Sequence, residues 1–223
     1  MLDLAARTEA ELNLLCDAFR RRGRVIIRDF LEPAAAELLV GWLVRQPRWT
    51  TVGCPAALVP PEGVDRQCQA PPRLSFHYDS ILLFDEGPSR RDDCGLVDFL
   101  TSGEFVDLIS RVTGRTDLSG ADGHATRFGA GHHLNLHMDG TKPGEPRGVR
   151  RVAFVLGMTR AWNPDWGGFT LFPQSDEPFA AGAFPSYNQL LLFAVPTPHL
   201  VTRIAPDCPR YRYAISGWAR SSA

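Results

Sequence analysis

The segment HHLNLHMDG, residues 132 to 140, gathers three of the chain's six histidines and an aspartate into nine residues. In extended backbone, residues i and i+2 share a face, so His137 and Asp139 point together while Met138 turns away. An imidazole nitrogen beside a carboxylate oxygen is half of a divalent-metal site. The spacing alone is a weak signal, because an H-x-D pair at a strand end more often makes an ordinary surface hydrogen bond. The chain even contains a control, His77-Tyr78-Asp79, with the same spacing.

What separates the two pairs is the company they keep. A ferrous centre for oxygen chemistry needs a second histidine from a distant strand, completing a two-histidine, one-carboxylate set with open positions. It gains from a cation that can grip a dicarboxylate through paired hydrogen bonds. Downstream of His137, the segment PTPHLVTRIAPDCPRYRYAISGW offers His199 in one extended run and Arg212 in the next. Downstream of His77 stand His124, His132 and His133, then Arg147, Arg150 and Arg151, without a comparable strand–turn–strand pattern. For the cation, Arg210 shares a face with Arg212 by strand alternation, and Arg203 would serve only in another topology.

The totals narrow the class. The 223 residues suit one domain, 44% hydrophobic and 22% charged, a globular balance. A net charge of −1 gives no electrostatic case for nucleic acid, whose phosphates call for a basic surplus. The clusters Arg20–Arg24 and Arg147–Arg151 read as solvated edges. The five cysteines (Cys16, Cys54, Cys68, Cys94, Cys208) are odd in number and scattered, which argues against a disulfide framework or a structural zinc site. No apolar run reaches the roughly 20 residues of a membrane helix. The N-terminal segment MLDLAARTEAEL has an early acid and no apolar h-region, so the expectation is a reduced, cytoplasmic protein.

The elements that must carry these side chains follow from periodicity. Thr8 and Glu11 form a capping-box pattern for a helix to about Arg22, ended by Gly23. RVIIRDF reads as a strand, Pro33 opens a second helix, and Ser102 to Gly114 bound a third. Residues 49–72, with five prolines, read as a long loop. RLSFHYDSILLF holds a short strand, and DEGPSRRDDCG a turn. Short strands then follow closely: HATRF, HHLNLHMD, RRVAFVLGM, FTLF, QLLLFAV, HLVTRI and YRYAISGW. That texture predicts a sandwich or barrel within one unit, 1–223: helical support, a strand and loops over 1–120, and a β-core over 121–223.

The segments ADGHATRFGAGHHLNLHMDG, RRVAFVLGMTRAWNPDWGGFTLFP, FPSYNQLLLFAVPTPHLV and RYAISGW together resemble the 2-oxoglutarate/Fe(II)-dependent dioxygenases. Within them the chain looks like the prolyl 4-hydroxylase-like branch, near the bacterial relatives of the ribosomal-protein prolyl hydroxylases. The resemblance runs nearly continuously from Ala121 to Trp218 and extends weakly through RGRVIIRDFL and FLTSGEFVDLISRVTG. It implies a mainly β fold with flanking helices, whose core is a double-stranded β-helix (a cupin-like jelly roll). It also implies that His137, Asp139 and His199 bind Fe(II), while Arg212 pairs with the far carboxylate of 2-oxoglutarate. O2 is the second co-substrate, and ascorbate is a candidate reductant. The reaction would couple decarboxylation of 2-oxoglutarate to succinate with hydroxylation of an unactivated C–H bond.

Further positions follow from that resemblance. Trp218 matches the aromatic closing the last core strand, beside the co-substrate or in the core. Gly167 and Gly168 make the tight turn into a core strand, and Asn135 shares the inward face with His137. His132 and His133 belong to a turn or strand start. The pattern is broken at Phe128, where a tyrosine that hydrogen-bonds the co-substrate commonly stands nine residues before the first ligand. Leu156-Gly157 replaces another common tyrosine, so the pocket is less polar. The expected substrate is a prolyl residue of a protein or peptide. The alternatives are a biosynthetic peptide or free amino acid, or a cupin-like binding module without turnover. The loop at 49–72 is expected at the substrate edge.

Overall fold

The computed structural model describes residues 2–54, 74–84, 94–141, 147–173 and 180–222. Helix α1, Glu9–Arg22, starts at the capping box: the Thr8 N–H donates to Glu11 Oε2 at 2.8 Å and the Glu11 N–H to Thr8 Oγ1 at 3.3 Å. Gly23, at φ 64°, ends it in the left-handed conformation that glycine adopts without steric penalty. Strand β1 is Arg24–Arg28, and α2, Pro33–Arg45, begins at its proline. The long stretch expected as loop opens instead with a strand, β2, Thr50–Cys54, paired antiparallel to β3, Phe76–Leu82. Residues 55–72 of that stretch, Arg73 and residues 85–93 of the expected turn lie outside the described residues.

A short helix, α3 (Leu96–Thr101), precedes α4 (Gly103–Thr113), which Ser102 caps and Gly114 closes as its sequence predicts. No periodicity announces α3, since six residues hold too few turns to show one; burial of Leu96, Phe99 and Leu100 fixes it. The remaining strands are β4 (Leu118–Phe128), β5 (His133–Met138), β6 (Val149–Met158), β7 (Thr170–Phe172), β8 (Ala181–Ala183), β9 (Tyr187–Ala194), β10 (Pro198–Val201) and β11 (Arg212–Ser221). β8 reads Ala-Gly-Ala, with no intrinsic strand preference, and exists through its pairing with β7.

All pairings are antiparallel, in the order β1-β9-β6-β11-β4-β3-β5-β10-β7-β8. β3 makes the sheet curl, because Asp79–Leu82 pair with β4 while Phe76 and His77 pair with β5. The result is a double-stranded β-helix of the jelly-roll kind, as the family resemblance implies. Alternation along β9 shows why its sequence is apolar without interruption. Leu190 and Leu192 join the helices in the main core, while Leu191 and Phe193 face inward with Ala153 and Phe172. Phe30, fully buried, meets Phe99 and Phe105 edge-on at 6.2 and 6.1 Å, tying the N-terminal segment to α3 and α4. Truncating such a ring costs about 3–5 kcal/mol.

Asn188 pins the same segment to the sheet. Its side chain accepts from the Leu31 N–H and donates to the Leu31 carbonyl, each at 2.8 Å, from a backbone at φ 52°. Cys16 and Cys208 are buried thiols outside any disulfide, and no described helix is long and apolar enough to cross a membrane.

Candidate active site

β5 and β10 lie side by side with His137 opposite His199. Between His199 and Val201 the register slips, so that Leu134 rather than Asn135 pairs with Val201. One extra residue in β5 makes a bulge, which turns the strand locally. The slip corrects one expectation: Leu134 joins His137 and Asp139 in the cavity wall, and Asn135 is exposed. Asn135 still contributes through its backbone, because its carbonyl accepts a hydrogen bond from His137 Nδ1 at 2.9 Å. The Thr197 carbonyl does the same for His199 Nδ1, also at 2.9 Å.

Both imidazoles are therefore held with Nδ1 protonated and the Nε2 lone pair free, the state in which histidine ligates a metal. His199 Nε2 lies 3.8 Å from Asp139 Oδ2, and the His137 and His199 rings are 4.2 Å apart. One ligand atom from each of His137, Asp139 and His199 falls within 4.8 Å of the others; among the described residues no other group of this kind forms. Burial and the neighbouring His137 push the His199 pKa down, which keeps the ring neutral near pH 7. Two imidazoles and one carboxylate, preset in tautomer and leaving coordination positions open, fit a ferrous ion.

The second H-x-D pair is spent elsewhere. Asp79 takes Arg127 Nε at 2.7 Å and the Thr51 hydroxyl at 2.7 Å, while His77 is exposed and packs on His132 at 4.4 Å. His133 opens β5 and binds Ser75 Oγ through Nε2 at 3.0 Å. None of these histidines approaches the cluster.

The cluster sits in a cavity of about 240 Å³ between the layers, lined also by Arg212, Thr170, Phe128, Tyr78, His124 and Trp218. Arg212 starts β11 opposite Phe128 of β4, with its guanidinium 5.2 Å from that ring. It is 6% exposed, and its hydrogen bond goes to Thr170 Oγ1 at 3.1 Å. Among the described residues no carboxylate pairs with it, and burial lowers its pKa to about 10, so it is still charged at neutral pH. A buried, uncompensated cation is costly unless an anion arrives. Arg210 is exposed, and Arg203 is exposed with its Nη1 donating to the Gly131 carbonyl; neither lines the cavity.

Gly167 and Gly168, at φ 70° and 73°, build the turn before β7. A Cβ on Gly168 would sit 2.5 Å from Ile204 Cδ1 and 3.4 Å from Arg212 Cδ, so this glycine makes room beside the arginine. Trp218 stacks on His124 at 5.9 Å and carries the Arg150 guanidinium over its face at 3.7 Å. His124, deeply desolvated, has its pKa lowered to about 4. Thr170, Tyr78 and His124 also line the cavity, and no motif in the sequence marks Thr170 or His124 for it. For Tyr78 a signal existed, since alternation turns it inward if His77 and Asp79 face out.

The family model for the 2OG-Fe(II) oxygenase superfamily matches residues 123–220, which hold the whole cluster and Arg212. A search of curated proteins finds no match. Among solved structures, a Pseudomonas putida prolyl-4-hydroxylase superposes with TM-score 0.63 at 18% identity, covering 95% of this chain and 100% of that one. A Trichoplax adhaerens prolyl hydroxylase, in complex with a hypoxia inducible factor oxygen degradation domain peptide fragment, gives TM-score 0.65 at 21% identity, over 96% and 90% of the two chains. A Burkholderia pseudomallei oxidoreductase of the 2OG-Fe(II) oxygenase family gives 0.68 at 12%, over 100% and 98%. Residues 123–220 thus match the 2OG-Fe(II) oxygenase superfamily on a fold shared with the prolyl hydroxylases, and the cofactors that this match implies are Fe(II), 2-oxoglutarate and O2.

Proposed function

We propose that His137, Asp139 and His199 hold the iron, that Arg212 anchors 2-oxoglutarate, and that the enzyme hydroxylates a prolyl residue of a protein or peptide. One observation carries the assignment of roles: a single cavity is lined both by the His-Asp-His cluster and by a buried arginine that pairs with no carboxylate among the described residues. Fe(II) bound to the cluster supplies the oxygen chemistry that couples decarboxylation of the keto acid to C–H hydroxylation. The chain's own residues do the positioning. The Asn135 and Thr197 carbonyls keep the Nδ1 protons of the two histidines in place. Arg212, braced by Thr170, presents a planar fork to a carboxylate in a water-poor pocket, where such a pair gains strength.

The cavity, at about 240 Å³, is below the roughly 300–1,000 Å³ of drug-sized pockets. It suits a five-carbon diacid inside and a larger substrate laid across its opening, and Leu74, Phe76 and Trp218 of the lining offer apolar contact for a pyrrolidine ring. The fold neighbours point the same way, as one is a prolyl-4-hydroxylase and another binds a peptide fragment. The test is succinate release with Fe(II) and 2-oxoglutarate, in the presence of proline-containing peptides or free proline, with mass spectrometry for one added oxygen. Hydroxylated peptide is expected; product from free proline alone would move the substrate to an amino acid. No succinate under any condition would leave a binding module.

A further inference from the structure

We propose that the seam between β1 and β8 is a docking site for an extended acidic segment of another protein, which adds to the open edge of β1 as a further strand. The seam shares no lining residue with the cavity around the cluster, so the docking stands whatever substrate is processed there.

β1 and β8 are the two ends of the sheet, and among the described residues neither pairs on its outer side. A cavity of about 540 Å³, more than twice the volume of the one around the cluster, is lined by both strands. β8 contributes Ala181, Gly182 and Ala183, whose small side chains leave room, and Phe172 and Leu191 add apolar surface. The charged residues of the lining are Arg22, Arg24 and Arg28, with no acid among them. None of these guanidiniums has a carboxylate partner among the described residues, and that of Arg24 lies 5.2 Å from the Phe172 ring.

The backbone says what kind of ligand completes this edge. The Ala194 N–H donates to the Gly23 carbonyl at 2.8 Å, which sets the parity of the β1–β9 ladder. Alternate residues of an antiparallel strand bond to the same neighbour, so Val25 and Ile27 turn their backbone groups to β9. Those of Arg24, Ile26 and Arg28 point to the open edge, where Arg7 Nη2 donates to the Arg28 carbonyl at 2.9 Å. No described group bonds to the outward N–H and carbonyl of Arg24 or Ile26. An unpaired edge of this kind is a template for another strand.

The side chains say which sequence. Arg24, Ile26 and Arg28 share one face and line the cavity, with Ile26 36% exposed between the two cations. A strand added here sets residues four apart opposite the arginines and the residue midway opposite Ile26. Its complement is acid-x-apolar-x-acid. No two acidic residues of this chain stand four apart, so a second copy does not supply the segment.

The test is a fluorescence anisotropy titration of the full chain with a dye-labelled Ser-Glu-Thr-Val-Thr-Glu-Ser peptide. Beside it run a peptide with lysine for both glutamates and an isomer with the glutamates three apart. Saturable binding of the first alone is expected. With Arg24→Glu and Arg28→Glu combined, the acidic peptide should bind about 10-fold or more weakly and the lysine peptide should bind instead, because like charges now face each other. In the wild-type protein the acidic peptide must also slow hydrogen exchange at the Arg24 and Ile26 amides, which strand addition covers. Absence of binding, equal binding of the isomer, or full affinity in the double variant overturns the proposal. So does a single-stranded oligonucleotide that displaces the peptide, which gives the arginines to phosphate, or a dimer that the double variant dissolves. Should that variant fold poorly, the wild-type exchange decides: amides at Arg24 and Ile26 that do not slow overturn the docking.

Discussion

Replacing Arg212 by Met removes a charge while nearly keeping length, and the structure fixes what should follow. In the ligand-free protein Arg212 is 6% exposed with Thr170 as its hydrogen-bond partner and no carboxylate among the described residues. Burial without a partner lowers its pKa to about 10, so the guanidinium is a local cost to the fold. The Met variant should therefore melt at the same temperature as the wild type or above it. With 2-oxoglutarate the order reverses. Losing one side of a buried charged pair costs about 3–5 kcal/mol, a roughly 200- to 5,000-fold weaker Kd. At a concentration 100 times the wild-type Kd, ligand stabilises the wild-type protein by about 2.7 kcal/mol. For a chain of this size that is a rise of roughly 5–10 °C in Tm. The variant, then below half saturation, should rise by less than about 2 °C. Differential scanning fluorimetry of both proteins with Mn(II), with and without 2-oxoglutarate, reads all four values. A variant that melts much lower alone, yet still gains the full ligand shift, would refute the role given to Arg212.

Other consequences can be checked singly. His137→Ala and His199→Ala should each weaken metal binding beyond the ~10–100-fold typical of losing a ligand's supporting hydrogen bond, measured by dialysis and elemental analysis. Stoichiometric metal retention in both would exclude the cluster. Gly168→Ala forces a side chain into φ 73° and within 2.5 Å of Ile204. The expected loss is about 2–4 kcal/mol in urea melts, with weaker 2-oxoglutarate binding through the shifted Arg212. His124 has a folded pKa of about 4 against 6.5 unfolded, so the unfolded chain binds its proton first as pH falls. Stability from neutral His124 is complete above pH 6.5 and is lost toward pH 4, by at most about 1.4 kcal/mol per unit. His124→Gln should flatten that part of the acid profile, and an unchanged slope would assign it to other groups. Asn188→Ala strands the Leu31 N–H and carbonyl, for an expected cost of about 2–4 kcal/mol.

The local pattern of the sequence was enough to place α1, α4 and most β-strands, because capping residues, glycine stops and two-residue alternation are short-range effects. It was enough, too, to single out His137, Asp139, His199 and Arg212 as residues in one order on closely spaced strands. It could not tell the two H-x-D pairs apart by spacing. That was decided in three dimensions, where Arg127 and Thr51 claim Asp79 while β10 brings His199 opposite His137. The bulge in β5 was equally hidden, since a register slip depends on the partner strand; it exchanged Leu134 for Asn135 in the wall and freed the carbonyl that orients His137. Short elements such as α3 and β8, and the inward turn of Tyr78 onto Phe128, likewise came from long-range packing. Sequence determined which chemical groups the chain possesses and which way each strand alternates. Only the curled sheet decided which of them meet, because the free energy that selects their partners lies in contacts between residues far apart along the chain.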